Sequence, residues 1–566
     1  MKVIIVGGVA GGATAAARIR RLDERAEIVV FERSGYVSYA NCGLPYYVGG
    51  VIEDPEELTL QTPESFFQRF HVDMRVHHEV TAIHPDRKTV TVQNLLTGGS
   101  FEEPYDKLLL APGAKPVVPD LMGVGMEQVF TLRTVEDTFR MKAYIEGNHP
   151  KSAVIAGGGF IGLELAENLR ELGMDVTIVQ RPKQLMNPFD PEMAALIQNQ
   201  MRAHGVKLAL GFTVEGFKEK DGGVEVLLKD TDPLYGDMVI LAVGVSPDTA
   251  LAAEAGLKLG RKGSIAVNDR METSAPDIYA VGDAVQVTHF VTGEETLISL
   301  AGPANKQGRI AADNICGGDS RYTGSQGSSV IKIFDMTAAA TGINEGAAKK
   351  AGIDADKVIL SPMSHAGYYP GGHVMTMKVV FEKDTFRLLG AQIVGYEGVD
   401  KRIDVLATAI RAGLLITDLK DLDLAYAPPY SSAKDPVNMA GFMADNLRQG
   451  VLKQWYLEDL PQALEAGRDG RATLLDARTV QEFQAGHIEG FRNIPLDALR
   501  ERISELDLQK PVYVICQSGL RSYIACRILA GPGYETCNFA GGYGLYEAVT
   551  NDRCLTGTAY PCGMEK

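Results

Sequence analysis

The chain has 566 residues, of which 45% are hydrophobic and 23% charged, and its formal net charge is −16 at neutral pH. A single hydrophobic core does not grow to that size, so three or four domains are expected. The acidic balance argues against a nucleic-acid partner, and no apolar run is long enough to cross a bilayer or to act as a signal peptide. The seven scattered cysteines indicate reduced thiols and a cytoplasmic location.

The first predicted unit is a strand over residues 2–6, a glycine-rich turn, an alanine-rich helix and a strand over 27–31. This order is typical of a dinucleotide-binding βαβ unit: glycines permit the tight turn, the helix N-terminus binds pyrophosphate, and an acid holds ribose hydroxyls. Val9 replaces the usual middle glycine, so a glycine-rich turn without a nucleotide is the alternative. The candidate cofactor residues are Gly7, Gly8, Ala10, Gly11, Gly12, Glu32 and Arg33.

A lone cysteine, Cys42, lies just after this unit in the segment 34–47, and the next cysteine is Cys316. A lone cysteine is usually a small buried apolar residue. Here the neighbours are small and polar, and Gly43 and Pro45 suit a turn or a helix start. At a helix N-terminus, free backbone N–H groups and the helix dipole would stabilise a thiolate. The segment therefore predicts a reactive thiol.

A second dinucleotide unit is predicted from a strand over residues 153–156, a glycine-rich turn and a strand over 175–179. Two such units imply two nucleotides, typically a flavin and a nicotinamide, and Cys42 beside a flavin would be a redox centre. Gln180 stands where an acid usually binds the ribose and Arg181 follows it, so NADH and NADPH both remain open. The candidate residues are Gly157, Gly159, Phe160, Ile161, Gly162, Glu164, Gln180 and Gly244.

Connecting motifs complete this pattern at Ala111-Pro112-Gly113 and at Gly282-Asp283. Together the motifs resemble the flavoprotein disulfide reductases with two dinucleotide-binding folds. The resemblance implies that Asp283 holds the ribityl chain of FAD. It also implies that the FAD domain is split, over 1–118 and 246–325, around an NAD(P)H domain over 119–245.

Glutathione reductase-like members of this superfamily carry two cysteines close together, whereas only Cys42 is present here. The segment 38–46 resembles the single-cysteine branch of coenzyme A disulfide reductases, NADH oxidases and NADH peroxidases. Oxidases and peroxidases carry a histidine where this chain has Ala10, which favours the coenzyme A branch. Arginines suit coenzyme A phosphates, although a solvated helix face is the alternative for Arg18 and Arg21. The resemblance implies a coenzyme A site formed by Thr14, Arg18, Arg21, Ser38, Asn41 and Lys434, with Asn41 also beside the flavin.

Residues 326–445 resemble the dimerisation domain of this family, which completes the active site of the partner subunit in a homodimer. By similarity, Tyr368 and Tyr426 would donate hydrogen bonds to a developing thiolate. Tyr369 competes with Tyr368 for this role, and packing is the alternative for all three. A helix over 439–452 is predicted, with a linker over 446–456.

A strand over 512–515 leads into Cys516-Gln517-Ser518-Gly519-Leu520-Arg521-Ser522 and a helix, so backbone N–H groups form an anion nest around a thiolate that could carry an extra sulfur. With this loop, residues 457–566 resemble a rhodanese domain. Arg521 adds positive charge, and the loop is shorter than that of related tyrosine phosphatases, which favours sulfur. A degenerate domain used only for docking is the alternative. No metal site is expected, because CxxC spacing is absent among Cys316, Cys526, Cys537, Cys554 and Cys562.

These parts predict an α/β protein with two Rossmann-like domains, an α+β dimerisation domain and a C-terminal α/β rhodanese domain. The predicted enzyme is an FAD-dependent NAD(P)H:coenzyme A persulfide or polysulfide reductase that also reduces coenzyme A disulfide, with NADH as the expected donor. Cys42, Cys516, Tyr368, Tyr426 and Arg521 are the predicted catalytic residues. Alternatives are a coenzyme A disulfide reductase that maintains the thiol pool, an NADH peroxidase or oxidase, and a sulfur carrier or redox sensor.

Overall fold

The computed structural model describes residues 1–556, so Cys562 and the end of the predicted rhodanese domain lie outside the described residues. The chain divides into two compact units: residues 1–183 with 205–327, and residues 184–204 with the chain from 328 onward. Among the described residues, no helix is both long and apolar enough to span a membrane.

The first unit contains two five-stranded parallel sheets, which agree with the two predicted dinucleotide-binding folds. One sheet has the spatial order Ile278–Ala280, Lys107–Leu110, Lys2–Val6, Glu27–Phe31 and Asp73–Arg75. The other has the order Lys207–Leu210, Asp175–Gln180, Ser152–Ala156, Met238–Leu241 and Val129–Phe130. Their strands are nearly continuous apolar runs because helices cover a parallel sheet on both faces.

Helices and smaller antiparallel sheets surround these two sheets. The helices are Ala10–Leu22, Leu44–Val48, Pro63–Phe70, Val135–Asn148, Phe160–Glu171, Ala250–Glu254 and Ala301–Ile315. The three-stranded sheets are His78–His84 with Thr89–Asn94 and Ser100–Pro104, and Val214–Lys220 with Gly223–Leu228 and Leu234–Gly236. The two-stranded pairs are Ala114–Pro116 with Val245–Pro247, and Val287–Thr288 with Glu295–Thr296.

The second unit contains one antiparallel and one parallel five-stranded sheet. The antiparallel sheet has the order Ser329–Ile333, Met336–Gly342, Leu388–Gly395, Thr376–Glu382 and Ala355–Leu360. Its helices are Pro191–Ala203, Glu345–Lys350, Val399–Arg411 and Pro436–Arg448. The last of these begins earlier than predicted, because Asp435 caps its start by accepting a hydrogen bond from the N–H of Val437, and it also ends earlier, at Arg448.

The parallel sheet of this unit lies in the predicted rhodanese domain. Its order is Gln454–Trp455, Thr536–Phe539, Val512–Ile515, Thr473–Asp476 and Arg492–Asn493. Residues 454–455, expected in the linker, form its edge strand. Its helices are Leu460–Arg468, Val480–Ala485, Leu499–Arg502, Leu520–Ala530 and Gly542–Thr556.

A buried lysine ties the helix Pro191–Ala203 to the antiparallel sheet. The side chain of Lys378 is 0% exposed and its Nζ contacts carboxylate oxygens of Asp190, at 2.8 Å, Glu192 and Glu345. Although burial alone would lower it, the pKa of Lys378 is raised because the three carboxylates favour the charged form. These carboxylates lie close enough together to suggest a metal site, but the ammonium of Lys378 occupies their centre.

We expect Lys378→Met to lower the free energy of unfolding of this unit by about 3–5 kcal/mol, because Asp190 and Glu192 lose their lysine partner. Glu345 keeps its ion pair with Lys357. The change is measured by unfolding the full chain in urea and monitoring amide hydrogen exchange in the strand Thr376–Glu382. Lys383→Met, at an exposed position, is the matched control. Equal protection in the two variants would contradict the structural role of the cluster.

Candidate active site

The first glycine-rich turn has the geometry of a nucleotide-binding turn. Gly7 has a positive φ of 97°, and a Cβ on Gly12 would lie 1.9 Å from the carbonyl oxygen of Gly7. The Glu32 carboxylate accepts hydrogen bonds from the N–H groups of Gly8 at 2.8 Å and Ser34 at 2.9 Å. Burial raises the pKa of Glu32, although these two donors oppose the shift. The helix therefore begins, at Ala10, directly against the end of the first strand.

The second glycine-rich turn repeats this arrangement. Gly157 has a φ of 122°, and a Cβ on Gly162 would lie 2.1 Å from its carbonyl oxygen. The side-chain oxygen of Gln180 accepts from the N–H of Gly158 at 3.0 Å, just as Glu32 does in the first turn. The helix starts with Phe160. Gln180 thus keeps the hydrogen bond of the missing acid without its charge.

The predicted connecting motifs lie at the same edges of the two sheets. Ala111-Pro112-Gly113 follows a strand whose Leu110 is paired with both Val6 and Ala280, and Gly282-Asp283 follows Ala280 after one residue. In the other sheet, Leu241 pairs with Ala156, and Gly244 follows with a φ of 120°. Ligands of open α/β sheets bind outside the carboxyl ends of the strands. The structure thus brings the motifs of each unit together.

Asp283 is paired with an arginine that the sequence motifs did not identify. Nη2 of Arg133 donates to Oδ2 of Asp283 at 2.8 Å, and its Nε donates to the carbonyl of Ala114 at 3.1 Å. With its amide turned to satisfy both contacts, Asn41 also bonds the carbonyl and guanidinium of Arg133, each at 3.1 Å. No glycine pattern or spacing marks Arg133, which lies 150 residues before its partner.

Cys42 lies in the short turn Asn41–Gly43, which precedes the helix Leu44–Val48. The residue is exposed, yet partial desolvation raises the pKa of its thiol. The Glu164 carboxylate adds to this shift, and Arg133 opposes it. The helix that follows has only five residues, and the nearby Glu164 carboxylate opposes the thiolate that the sequence predicts.

Glu164 connects the second dinucleotide unit to this cysteine. Burial raises the pKa of Glu164 to about 7, and the carboxylate of Glu167 contributes, whereas a hydrogen bond with Tyr46 acts in the opposite direction. Burial and Glu164 in turn raise the pKa of Tyr46 to about 12. Glu164 therefore changes charge near neutral pH within electrostatic reach of Cys42.

Some of the residues predicted to bind coenzyme A in the first unit already form hydrogen bonds or ion pairs with other side chains. The hydroxyl of Thr14 donates to the side-chain oxygen of Asn305 at 2.9 Å. Nε of Arg18 pairs with Asp313 at 2.7 Å, while Arg21 is exposed. Of the two arginines, Arg21 is thus the one whose charge remains available at the surface, and Asn305 is a neighbour that the sequence did not indicate.

Three further predicted site residues, Ser38, Arg33 and Lys434, lie in different surroundings. Ser38 has a left-handed φ of 48°, and its N–H donates to the carbonyl of Gly8 at 2.8 Å, which holds the cysteine segment against the first turn. Arg33 is half exposed and pairs with Asp248 at 2.8 Å. Lys434 is exposed in the second unit.

The predicted tyrosines form a pair in the second unit. The hydroxyl oxygens of Tyr368 and Tyr426 are 2.8 Å apart, and the residues are 76% and 45% exposed. The hydrogen bond with Tyr368 raises the pKa of Tyr426. Tyr369 instead packs edge-on against His365, with ring centroids 5.6 Å apart. Tyr368 is therefore the phenol that is hydrogen-bonded to Tyr426.

A buried arginine holds the two tyrosine-bearing segments together. Arg402 is 1% exposed, and its Nη2 donates to the carbonyl of Ser364 at 2.9 Å, to the carbonyl of Tyr430 at 3.2 Å and to Oδ2 of Asp435 at 3.1 Å. Ser364 precedes Tyr368 by four residues, and Tyr430 follows Tyr426 by four. Sequence reasoning missed Arg402, since nothing in its helix distinguishes it from a surface cation.

Cys516 lies at the centre of the predicted rhodanese loop. It is 0% exposed, and its Sγ accepts from the N–H of Gly519 at 3.1 Å and the hydroxyl of Ser522 at 3.2 Å. In the part of the chain that the structure describes, five further N–H groups of the loop have no hydrogen-bond partner: those of Gln517, Ser518, Leu520, Arg521 and Ser522. The loop therefore offers neutral donors around a buried sulfur, as the predicted nest requires.

Arg521 does not face this loop as a lone cation. Its Nη1 and Nη2 donate to the two carboxylate oxygens of Glu482, both at 2.7 Å. The hydrogen bonds from Arg521 lower the pKa of Glu482 to about 2. The two groups thus form a stable charge pair.

We expect Glu164→Gln to lower the pKa of the Cys42 thiol, because it removes a negative charge that opposes thiolate formation. Alkylation of Cys42 by iodoacetamide at pH 8, mapped by peptide mass spectrometry, should become about threefold faster. Glu171→Gln, at an exposed position on the same helix, is the control. An unchanged or slower rate for Glu164→Gln would contradict the interaction.

Three solved or curated proteins resemble this chain over most of its length. Coenzyme A disulfide reductase of Staphylococcus aureus strain JH9 is 37% identical over 444 residues, which cover 78% of this chain and 99% of that protein. The reduced CoADR-RHD of Bacillus anthracis is 48% identical, with a TM-score of 0.94 and coverage of 98% of both chains. The NAD-dependent persulfide reductase of A. fulgidus is 38% identical, with a TM-score of 0.90 and coverage of 96% and 100%.

Family models match nearly all of the chain. A pyridine nucleotide-disulphide oxidoreductase model matches residues 1–308, the dimerisation domain of the same family matches 328–436, and a rhodanese-like domain matches 458–548. The chain therefore belongs to the pyridine nucleotide-disulphide oxidoreductases, which use FAD and NAD(P)H, and carries a C-terminal rhodanese domain.

Proposed function

We propose that the protein is an FAD-dependent NAD(P)H:coenzyme A persulfide or polysulfide reductase that also reduces coenzyme A disulfide. The observation that carries this proposal is the presence of two separate sulfur sites in one chain. Cys42 lies in a segment that is hydrogen-bonded to the first dinucleotide-binding turn through Ser38, and Cys516 lies inside the rhodanese loop. The likeness to a persulfide reductase over 96% of the chain supports it.

The cofactor-binding residues follow from the two turns. The first turn, with Glu32 and Asp283, would hold FAD; the second turn, with Gln180 and Glu164, would hold NAD(P)H. FAD supplies a two-electron link between the nicotinamide and sulfur. Each helix starts directly after its glycine-rich turn, so the backbone N–H groups at the helix N-terminus are available to bind pyrophosphate.

Cys42 performs the sulfur chemistry in this proposal. Its thiolate attacks a sulfur of the coenzyme A persulfide, the sulfur–sulfur bond breaks, and hydrosulfide leaves with the bonding electron pair. Two electrons and a proton then convert the resulting mixed disulfide to the Cys42 thiolate and the coenzyme A thiol. Coenzyme A disulfide enters the same cycle, with a coenzyme A thiolate as the leaving group.

The tyrosine pair is proposed to complete this site in a homodimer. A match to the family's dimerisation domain supports the dimer, and the exposure of Tyr368 and Tyr426 makes this hydrogen-bonded pair accessible to a partner subunit. A phenol hydrogen bond would stabilise the departing thiolate or sulfide. Arg402 maintains the spacing of the two phenols.

Coenzyme A disulfide reduction as the main activity is the second candidate. The 37% identity with a coenzyme A disulfide reductase favours it. That relative matches only 78% of this chain, and the rhodanese loop retains its cysteine and its unpaired donors. An oxidase or peroxidase is disfavoured, because Ala10 replaces the histidine expected in the first turn.

Anaerobic NADH oxidation with coenzyme A persulfide, coenzyme A disulfide and hydrogen peroxide tests the proposal. We expect the persulfide to be reduced fastest, with release of sulfide, and Cys42→Ser to lose at least ~100-fold in rate, because the nucleophile is removed. Cys516→Ser should reduce turnover with polysulfide more than turnover with coenzyme A disulfide. Turnover with peroxide alone would contradict the proposal.

A further inference from the structure

The rhodanese site has no net positive charge, although two arginines lie beside it. Arg521 lies within electrostatic reach of Cys516: the pair with Glu482 raises the pKa of Arg521, and negative charge on Cys516 adds to that shift. Both oxygens of the Glu482 carboxylate are used by Arg521. Because this carboxylate stays ionised at any working pH, it cancels the charge of Arg521 throughout.

The charge of the second arginine, Arg478, is likewise neutralised by a carboxylate, that of Asp476. Its Nη2 donates to Oδ2 of Asp476 at 2.8 Å, and the two side chains are 2% and 1% exposed. Arg478 also lies 3.8 Å from the ring centroid of Tyr543 and within 3.5 Å of the side-chain oxygen of Gln517. Each cation of the site therefore has its own carboxylate, and the loop offers neutral N–H donors to a ligand.

We propose that Glu482 sets donor specificity: by neutralising Arg521, it directs Cys516 to sulfane sulfur of low charge, as in thiol persulfides, and away from dianions such as thiosulfate. A dianion must lose hydration of two charges on entering a buried site, and no uncompensated cation is present to offset that loss. A thiol persulfide brings at most one charge at its sulfur. This inference rests on the proposed sulfur-transfer role of Cys516.

The transfer step balances for both donors. The Cys516 thiolate attacks the outer sulfur of R–S–SH, the sulfur–sulfur bond breaks, and RS⁻ leaves with the bonding pair, so that Cys516–S–SH forms. With thiosulfate, the same attack on the sulfane sulfur releases sulfite and leaves Cys516–S–S⁻. Neither reaction requires an oxidant or a reductant, so charge at the site distinguishes the two donors.

Glu482 also caps a helix, and the experiment must distinguish this structural role from the neutralisation of Arg521. It forms a capping box with Thr479, whose N–H and hydroxyl both donate to Oε2 of Glu482, at 2.8 and 2.9 Å. Glu482→Gln preserves the size of the side chain and a carbonyl acceptor for this cap while it removes the negative charge. Thr479→Val weakens the cap and leaves the pair with Arg521 in place, so it is the matched control.

The test compares two donors on the full chain carrying Cys42→Ser, which removes the other reactive thiol. Persulfide formation on Cys516 is followed by mass spectrometry with the persulfide of 2-mercaptoethanol and with thiosulfate, and sulfite release is measured in parallel. In Glu482→Gln the ratio of the thiosulfate rate to the persulfide rate should rise about tenfold or more, because Arg521 becomes an uncompensated cation. Thr479→Val should leave the ratio unchanged.

An unchanged ratio in a folded Glu482→Gln variant would overturn the inference. A second test does not depend on that variant and uses the chain that retains Glu482. Its rate of persulfide formation on Cys516 from thiosulfate should not fall as the salt concentration is raised from about 20 to 300 mM. A steep fall would show that a free cation binds the donor, and would also overturn the inference. Loading of Cys516 by neither donor would overturn the proposed sulfur transfer, and this inference with it.

Discussion

The architecture of the redox site depends on how closely a helix approaches the end of a strand in each dinucleotide unit. A Cβ on Gly12 or Gly162 would lie about 2 Å from a backbone oxygen of the preceding turn, which no side chain can tolerate. Glycine at these two positions lets each helix start directly over the end of its strand. The same approach places Ser38, and with it the segment of Cys42, against Gly8.

Charge pairing fixes side chains at sites in both compact units. Arg133 is held by Asp283, Arg402 by Asp435, Arg521 by Glu482, and Lys378 by three carboxylates. Burying such groups is costly unless each charge has a partner. The pairs therefore fix side chains in one arrangement, and they also determine which sites present net charge to a ligand. The rhodanese loop is the clearest case, since its donors are neutral backbone groups.

The two sulfur sites differ in how their cysteines are held. Cys42 is exposed, and desolvation together with Glu164 raises the pKa of its thiol. Cys516 is fully buried and accepts hydrogen bonds from Gly519 and Ser522. A thiol that must react with a large substrate needs access, whereas a sulfur carrier needs shielding and donors. The proposed division of work between the two cysteines follows that contrast.

The sequence by itself determined the elements and motifs whose parts are close along the chain. The strands 2–6, 27–31 and 512–515 are present as predicted, and both glycine turns and the Cys516 loop have the expected form. These features depend on local backbone geometry and on apolar runs, which neighbouring residues specify. Tertiary structure alone decided the pairs between distant residues, such as Arg133 with Asp283 and Arg521 with Glu482. A side chain's partner depends on which segments the folded chain brings together, and no local pattern encodes that choice.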